Sequence, residues 1–262
     1  MRGGENIVIE LKSADELDVM REAGRVVARA LEAVRAQAKP GVRLRELDEI
    51  ARTVIDEAGA VPLFLDYHPS WAPGPFPGVI CASVNDAVVH GIPDDRVLSD
   101  GDLLSVDCGA RVDGWCGDAA VTFSVGAARP EDTALTDAAR QALADGIAAT
   151  RPGGRIGDIS HAVGVVGRSA GYGIPELVGG HGVGRSMHEA PFVANDGAAG
   201  KGAPLRPGLV VAIEPMFLAG GADDIAHAPD GWELRTADGS RAAHVEHTVA
   251  VTDDGPRVLT LP

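Results

Sequence analysis

Long hydrophobic runs, positive charge and aromatic rings are all scarce in this chain of 262 residues. No apolar stretch approaches the roughly 20 residues that a bilayer span requires. The N-terminal MRGGENIVIELKSADELDVM has no apolar core of the secretory kind. The expectation is a soluble chain without a membrane partner. The formal charge of −15 argues against the broad basic footprint of a DNA-binding protein and for a self-repelling surface. No oligomerisation motif stands out, so a monomer is expected. There are three cysteines, Cys81, Cys108 and Cys116. A sparse, odd set without a signal sequence fits free thiols in a reducing, cytoplasmic compartment. Lysine is limited to Lys12, Lys39 and Lys201, which reads as compositional bias.

What is present suffices for a globular core, at 45% hydrophobic residues. Ile7–Ile9 alternates as a short strand. Ser13 and Glu16 fit a capping box, in which each side chain satisfies a free N–H of the helix start. Leu17, Met20, Gly24, Val27, Leu31 and Val34 then recur at helical spacing. A second helix is expected over 44–58, with Leu47, Ile50, Ala51, Val54 and Ile55 inward and Gly59 ending it. The run KPGVRLREL (39–47) aligns with RPGGRIGDI (151–159), each following a long helix and opening a shorter one. Two copies suit a duplicated domain in which each half supplies a helix pair and part of a sheet. A chance recurrence of a proline-glycine turn is the alternative. Helices are expected over 131–150 and 156–169, and strands over 79–84, 87–89, 209–213 and 244–251. Residues 219–230 read as loop, a strand begins at 231–235, and 258–261 closes the sheet.

Chemistry centres on VDCGARVDGWCGDAAVTF (106–123), which reads as a β-hairpin turning near Asp113-Gly114. If Asp107 lies opposite Asp118, both carboxylates face the same side. Like charges that close require a proton or a cation between them, and an oxygen-rich pair suits a divalent metal. An ordinary turn with solvated aspartates is the competing reading. Downstream, His181 sits among glycines in GGHGVGRSMHEAP (179–191), where the backbone is free to approach a bound group. Glu214 ends an apolar strand, and Glu246 lies inside a β-branched run, where an unpaired carboxylate would be costly. Four carboxylates and one imidazole can hold two divalent ions about 3.5–4 Å apart, a centre suited to amide hydrolysis. No P-loop or dinucleotide fingerprint competes. Tyr67, His68, Trp71 and Phe76 gather in a proline-rich loop that walls either a pocket or core.

The order of two aspartates eleven positions apart, then GHGxGRxxHExP, IEPM and EHT, resembles the type I methionine aminopeptidases over essentially the whole chain. The resemblance implies an α+β fold, the pita-bread fold, with duplicated halves and the metal site in the central sheet. It implies one catalytic domain over 1–262, with a short N-terminal segment, 1–12. The implied activity is removal of the initiator methionine from nascent proteins and peptides with a small second residue. A hydroxide bridging two ions (cobalt, manganese, iron or zinc) would attack the scissile amide. Residue by residue, Asp107 would bind the second metal, Asp118 and Glu246 would bridge, and His181 and Glu214 would complete the first. Glu214 would also accept the proton of the attacking water. His90 and His188 would contact the substrate and stabilise its tetrahedral intermediate. Tyr67, Phe76, Cys81, Met187 and Trp232 would form the methionine pocket, where a polarisable thioether packs well. Nascent chains would be the partners, with the ribosome as a further candidate.

The sequence departs from the family in two places. Met187 stands where phenylalanine is more common. Cys116 stands where histidine is common; counting by twos from Asp118 places its thiol on the metal side, against the plainer expectation of a small packed residue. The loop between Tyr67 and Phe76 is longer than usual, so Trp71 becomes a candidate for the entrance. The alternatives are an X-Pro aminopeptidase or prolidase of the same fold, a metal-free relative of creatinase type, and a non-catalytic peptide-binding relative. Arg185, where prolidases usually carry a second histidine, argues against the first. The complete donor set argues against the other two.

Overall fold

A computed structural model describes residues 9–262. Most of the strand expected at Ile7–Ile9 lies outside these residues. The capping box forms as expected: the Ser13 N–H donates to the Glu16 carboxylate at 2.8 Å, and the Glu16 N–H donates to the Ser13 hydroxyl at 3.4 Å. Helix α1 (Ala14–Gln37) buries Leu17, Met20, Val27, Leu31 and Val34. Helix α2 (Leu44–Glu57) buries Leu47, Ala51 and Ile55, whereas Ile50 and Val54 are only half-buried at the rim of the same core. These helices cover a sheet of β1 (Val61–Pro62), β2 (Ile80–Val84), β4 (Leu103–Val112) and β5 (Trp115–Ser124). Strand β3 (Ala87–Val89) follows β2 and joins a different sheet.

The second half repeats the plan. Helices α3 (Pro130–Ala149) and α4 (Ile156–Ser169) pack on a sheet of β6 (Gly180–Gly182), β7 (Glu189–Val193), β8 (Val210–Ile213), β13 (His247–Thr252) and β14 (Gly255–Val258). Between β8 and β13 come β9 (Met216–Leu218), β10 (Ile225–His227), β11 (Leu234–Thr236) and β12 (Ala242–His244). The duplication extends to the helix ends. Arg43 and Arg155 each precede the shorter helix and form an isolated antiparallel bridge, to Val97 and to Pro204. Gly59 and Gly171 end those helices at φ 65° and 78°, in the left-handed region that glycine favours. A chance turn would not reproduce both contacts.

The halves meet along β5. Ala120 and Glu246 exchange backbone hydrogen bonds of 2.9 and 3.4 Å. The Thr248 hydroxyl donates to the Asp118 carbonyl and accepts from its N–H, at 2.7 and 3.0 Å. Thr122 does the same for His244, at 2.5 and 3.0 Å. Threonine hydroxyls thus satisfy backbone groups that would otherwise be buried unpaired at the join.

Several expectations need correction. The single strand expected over 244–251 is two, β12 and β13, broken at Val245-Glu246. Its partner is broken at the same level, at Glu214-Pro215, so β12 pairs with β9 and β13 with β8. Proline supplies no N–H to a ladder. Glu246 is therefore in a kink between strands rather than inside one. The expected loop 219–230 contains β10, and the closing strand is Gly255–Val258, a few residues earlier than expected.

Candidate active site

The hairpin expected at 106–123 forms, but its register differs. Val112 pairs with Trp115 across a two-residue turn. Asp113 and Gly114 both have positive φ, 48° and 82°, as the tight hairpin turn that Asp-Gly favours demands. Asp107 consequently faces Ala120, and Asp118 faces Gly109, instead of each other. The shift is two residues, which preserves the side-chain face. The two aspartates are diagonal neighbours on one side of the sheet, and both line a cavity of about 570 Å³.

His181, Glu214 and Glu246 line the same cavity from the second half. Glu214 and Glu246 turn toward it at the paired strand breaks. His181 is on β6, and its flanking glycines serve a purpose other than the expected one. A Cβ on Gly180 would lie 2.2 Å from the Ala212 carbonyl oxygen, and one on Gly182 2.2 Å from that of Ala190. The missing side chains let neighbouring backbone close on His181, rather than opening space for a bound group. His181 Nδ1–H donates to the Gly182 carbonyl at 2.9 Å, which leaves the Nε2 lone pair free. That Nε2 lies 3.4 Å from Glu214 Oε1. The Asn195 amide holds the Glu214 backbone carbonyl at 2.9 Å.

Electrostatically the cluster is incomplete. Asp118 and Glu246 are 3% and 2% exposed. Burial, reinforced by neighbouring carboxylates, raises both pKa values well above the ordinary range. Asp107 opens more to the cleft, and desolvation still raises it to about 7. Glu214 goes the other way: burial would raise it, but the adjacent imidazoles of His244 and His181 hold it below the usual value. Asp107 Oδ1, Asp118 Oδ1 and Glu246 Oε1 have no hydrogen-bond partner among the described residues. Asp118, His181 and Glu246 each bring a donor atom within 4.8 Å of the others. Orphaned buried oxygens beside a free imidazole nitrogen fit a divalent cation.

The rest of the cavity is apolar. Phe76, Cys81, Met187 and Trp232 are buried in its wall, and Tyr67 is half-buried beside them. Trp232 meets Phe76 edge-on at 5.1 Å. His90, at the end of β3 with φ 61°, sits between Trp71 and Trp232. Burial lowers its pKa to about 4, so the ring is neutral at pH 7. His188 faces His181 at 4.3 Å between ring centres, and its Nδ1 bonds the Tyr67 hydroxyl at 3.1 Å. Desolvation in the cleft and the neighbouring His181 lower its pKa as well. Trp71 stacks on His90 at 5.9 Å and stands at the mouth, 53% exposed, as its place in the long loop led us to expect.

Cys116 does not reach the cavity. It faces the side that counting by twos indicates, but farther along the strand, where Arg111 is its partner across the hairpin. It packs with Val183 and Met187, and its thiol contacts the Arg185 carbonyl at 3.6 Å. Burial raises its pKa, the reverse of a reactive thiolate. Sequence reasoning missed His244, which lines the cavity beside Glu214 and Glu246. The same counting by twos, applied from Glu246, would have found it.

Lys12, dismissed above as one of few lysines, also bears on the site. Its ammonium forms a 2.8 Å ion pair with Glu189, next to His188. The two side chains are 2% and 19% exposed. Lys12→Met should leave Glu189 half-buried and unpaired, lowering stability in urea by about 2 kcal/mol, less than a fully buried broken pair costs. Unchanged unfolding midpoint and slope would show that the pair contributes nothing.

The fold and the cavity together describe a peptidase built around a metal, and comparison with known proteins agrees. Residues 18–253 match the model of metallopeptidase family M24. The chain belongs to that family. It is 53% identical over 261 residues to methionine aminopeptidase 1 of Mycobacterium tuberculosis, covering 97% of this chain and 96% of that protein. It is 41% identical to methionine aminopeptidase 1 of Bacillus subtilis, over 97% and 99% of the two chains. The structure of methionine aminopeptidase from Thermotoga maritima superposes with a TM-score of 0.93 at 38% identity, covering 97% of this chain and all of that one. A prolidase from Pyrococcus furiosus, at 22% identity and TM-score 0.75, shares the fold alone. Within family M24 the chain falls among the methionine aminopeptidases, which have the pita-bread fold. Family membership implies a divalent metal, and the donor cluster suits one.

Proposed function

We propose that the chain removes N-terminal methionine from proteins and peptides whose second residue is small, using two divalent ions. The observation that carries this reading is the donor cluster, with its orphaned oxygens, at one end of a cavity walled by aromatic rings and sulfur. Asp107, Asp118, His181, Glu214 and Glu246 would hold the ions. Such a pair, when bound, polarises a carbonyl and acidifies water. Glu214, held ionised at neutral pH, would take the proton from the attacking water. Neutral His188, oriented by Tyr67, would donate a hydrogen bond to the substrate carbonyl, and His90 would contact the scissile amide. Phe76, Cys81, Met187 and Trp232, with Tyr67 at the side, offer a thioether the aromatic edges and sulfur it prefers. Three buried free cysteines fit a reducing compartment, the cytoplasm, where nascent chains are met.

The test is release of methionine from Met-Ala-Ser after chelation, with and without added Mn²⁺ or Co²⁺, beside Met-Leu and Ala-Pro peptides. The expected result is metal-dependent cleavage of Met-Ala-Ser, with little of Met-Leu and none of Ala-Pro. Cleavage of Ala-Pro would move the activity to the X-Pro branch. No turnover with any metal would sink the catalytic assignment.

A further inference from the structure

Glu214 lies between two imidazoles, of which only His181 has a part in the reading above. His181 Nε2 is 3.4 Å from Glu214 Oε1, and His244 Nε2 is 3.5 Å from Oε2. His244 is 2% exposed, and the same nitrogen is 3.7 Å from Glu246 Oε2. It has no hydrogen-bond partner of normal length among the described residues. Thr122 holds the His244 backbone N–H and carbonyl together, which fixes the point from which the buried ring projects. Glu214, His244 and Glu246 bring donor-type atoms within 4.8 Å of one another, a second such group beside the one containing His181.

A carboxylate that binds a metal presents one oxygen to the ion and needs its other oxygen held, or the group rotates and the donor geometry loosens. Glu214 has that arrangement: one oxygen toward His181, the other toward a buried imidazole. We propose that His244 is a positioning residue whose Nε2–H donates to Glu214 Oε2, fixing Oε1 toward the ion shared with His181 and so raising the chain's metal affinity. This role rests on the assignment of Glu214 as a metal donor. The same distances would also suit His244 as a direct donor, so the test separates the two.

Mn²⁺ is titrated calorimetrically into the metal-depleted wild type and into His244→Leu, His244→Gln and Glu214→Gln, with folding of each checked by thermal melting. Co²⁺ absorption spectra are recorded on the same proteins. Removing such an outer hydrogen bond typically costs about 10–100-fold in metal affinity, and His244→Leu should lose that much. Glutamine presents an N–H at similar reach, so His244→Gln should return to within about threefold of wild type with an unshifted Co²⁺ spectrum. Leucine binding as tightly as wild type would overturn the proposal. So would a glutamine variant as weak as leucine with a shifted Co²⁺ band, which would make His244 a direct donor. If His244→Leu fails to fold, His244→Ala takes its place, with the same loss expected and wild-type affinity overturning the proposal. Glu214→Gln keeps the two readings apart. Wild-type affinity there removes Glu214 from the metal site and this role with it. A weakened Glu214→Gln beside an unaffected His244→Leu removes only the role of His244.

Discussion

Glu246→Gln should abolish most activity while making the metal-free protein more stable. Polarisation by a bound ion is worth several kcal/mol in the transition state, and each 1.36 kcal/mol is a factor of ten. If Glu246 holds metal as proposed, its loss should lower kcat/KM on Met-Ala-Ser by about 10³-fold, with a matching loss of bound metal. Without metal the sign reverses. Glu246 is 2% exposed, its Oε1 has no partner, and Asp118, Glu214 and Asp107 add like charge. A neutral amide of the same shape removes that burden. At pH 8 the chelated variant should unfold at higher urea than the chelated wild type. Equal activity would remove Glu246 from the centre. Lost activity with lower apo stability would mean that it works mainly as a strut between β12 and β13.

The second large effect is the pH dependence of metal-free stability. Asp118 and Glu246 have folded pKa values raised well above their ordinary ones, and Asp107 is raised to about 7. A carboxyl raised on folding binds more protons in the folded than in the unfolded state, so stability falls as pH rises from the unfolded value to the folded one. His90 and His188, both lowered to about 4, work in the opposite direction between pH 4 and 6.5 and are silent above. Above pH 6.5 the carboxyls titrate together with His244, whose pKa burial would lower but the Glu214 carboxylate raises, and whose effect has the same sign. There the chelated protein should lose stability in urea unfolding as the pH rises, with Asp118 and Glu246 carrying more of the loss than the more open Asp107. With saturating Mn²⁺ the curve should be flatter, because the ion compensates the same charges. Parallel curves with and without metal would show that the carboxylates do not converge on the ion.

Much of this site was legible because its chemistry follows local rules. The Ser13 cap, the Asp113-Gly114 turn and the repeated proline-glycine helix starts are set by neighbouring residues, and each formed where expected. The candidate donors were legible as residue types that a buried strand would otherwise refuse. What failed depended on longer-range geometry. The hairpin register hangs on a turn of two residues, so Asp107 came to face Ala120. The break at Val245-Glu246 matches the one at Glu214-Pro215, thirty residues earlier, which no pattern within 244–251 reveals. The glycines beside His181 answer to the Ala212 and Ala190 carbonyls, a contact visible only once the sheet is assembled. How far along its strand Cys116 falls from the cavity likewise depends on where the sheet ends.

The join along β5 has an evolutionary reading. The two halves repeat each other in backbone, yet Asp107 and Asp118 belong to one copy while His181, Glu214 and Glu246 belong to the other. Neither repeat keeps a full donor set, so the symmetry of the scaffold has been broken in its chemistry. A lone ancestral repeat would have been a scaffold without a reaction centre, able to gain one only by docking with a second copy. Within one chain, each side carries a different share of the chemistry.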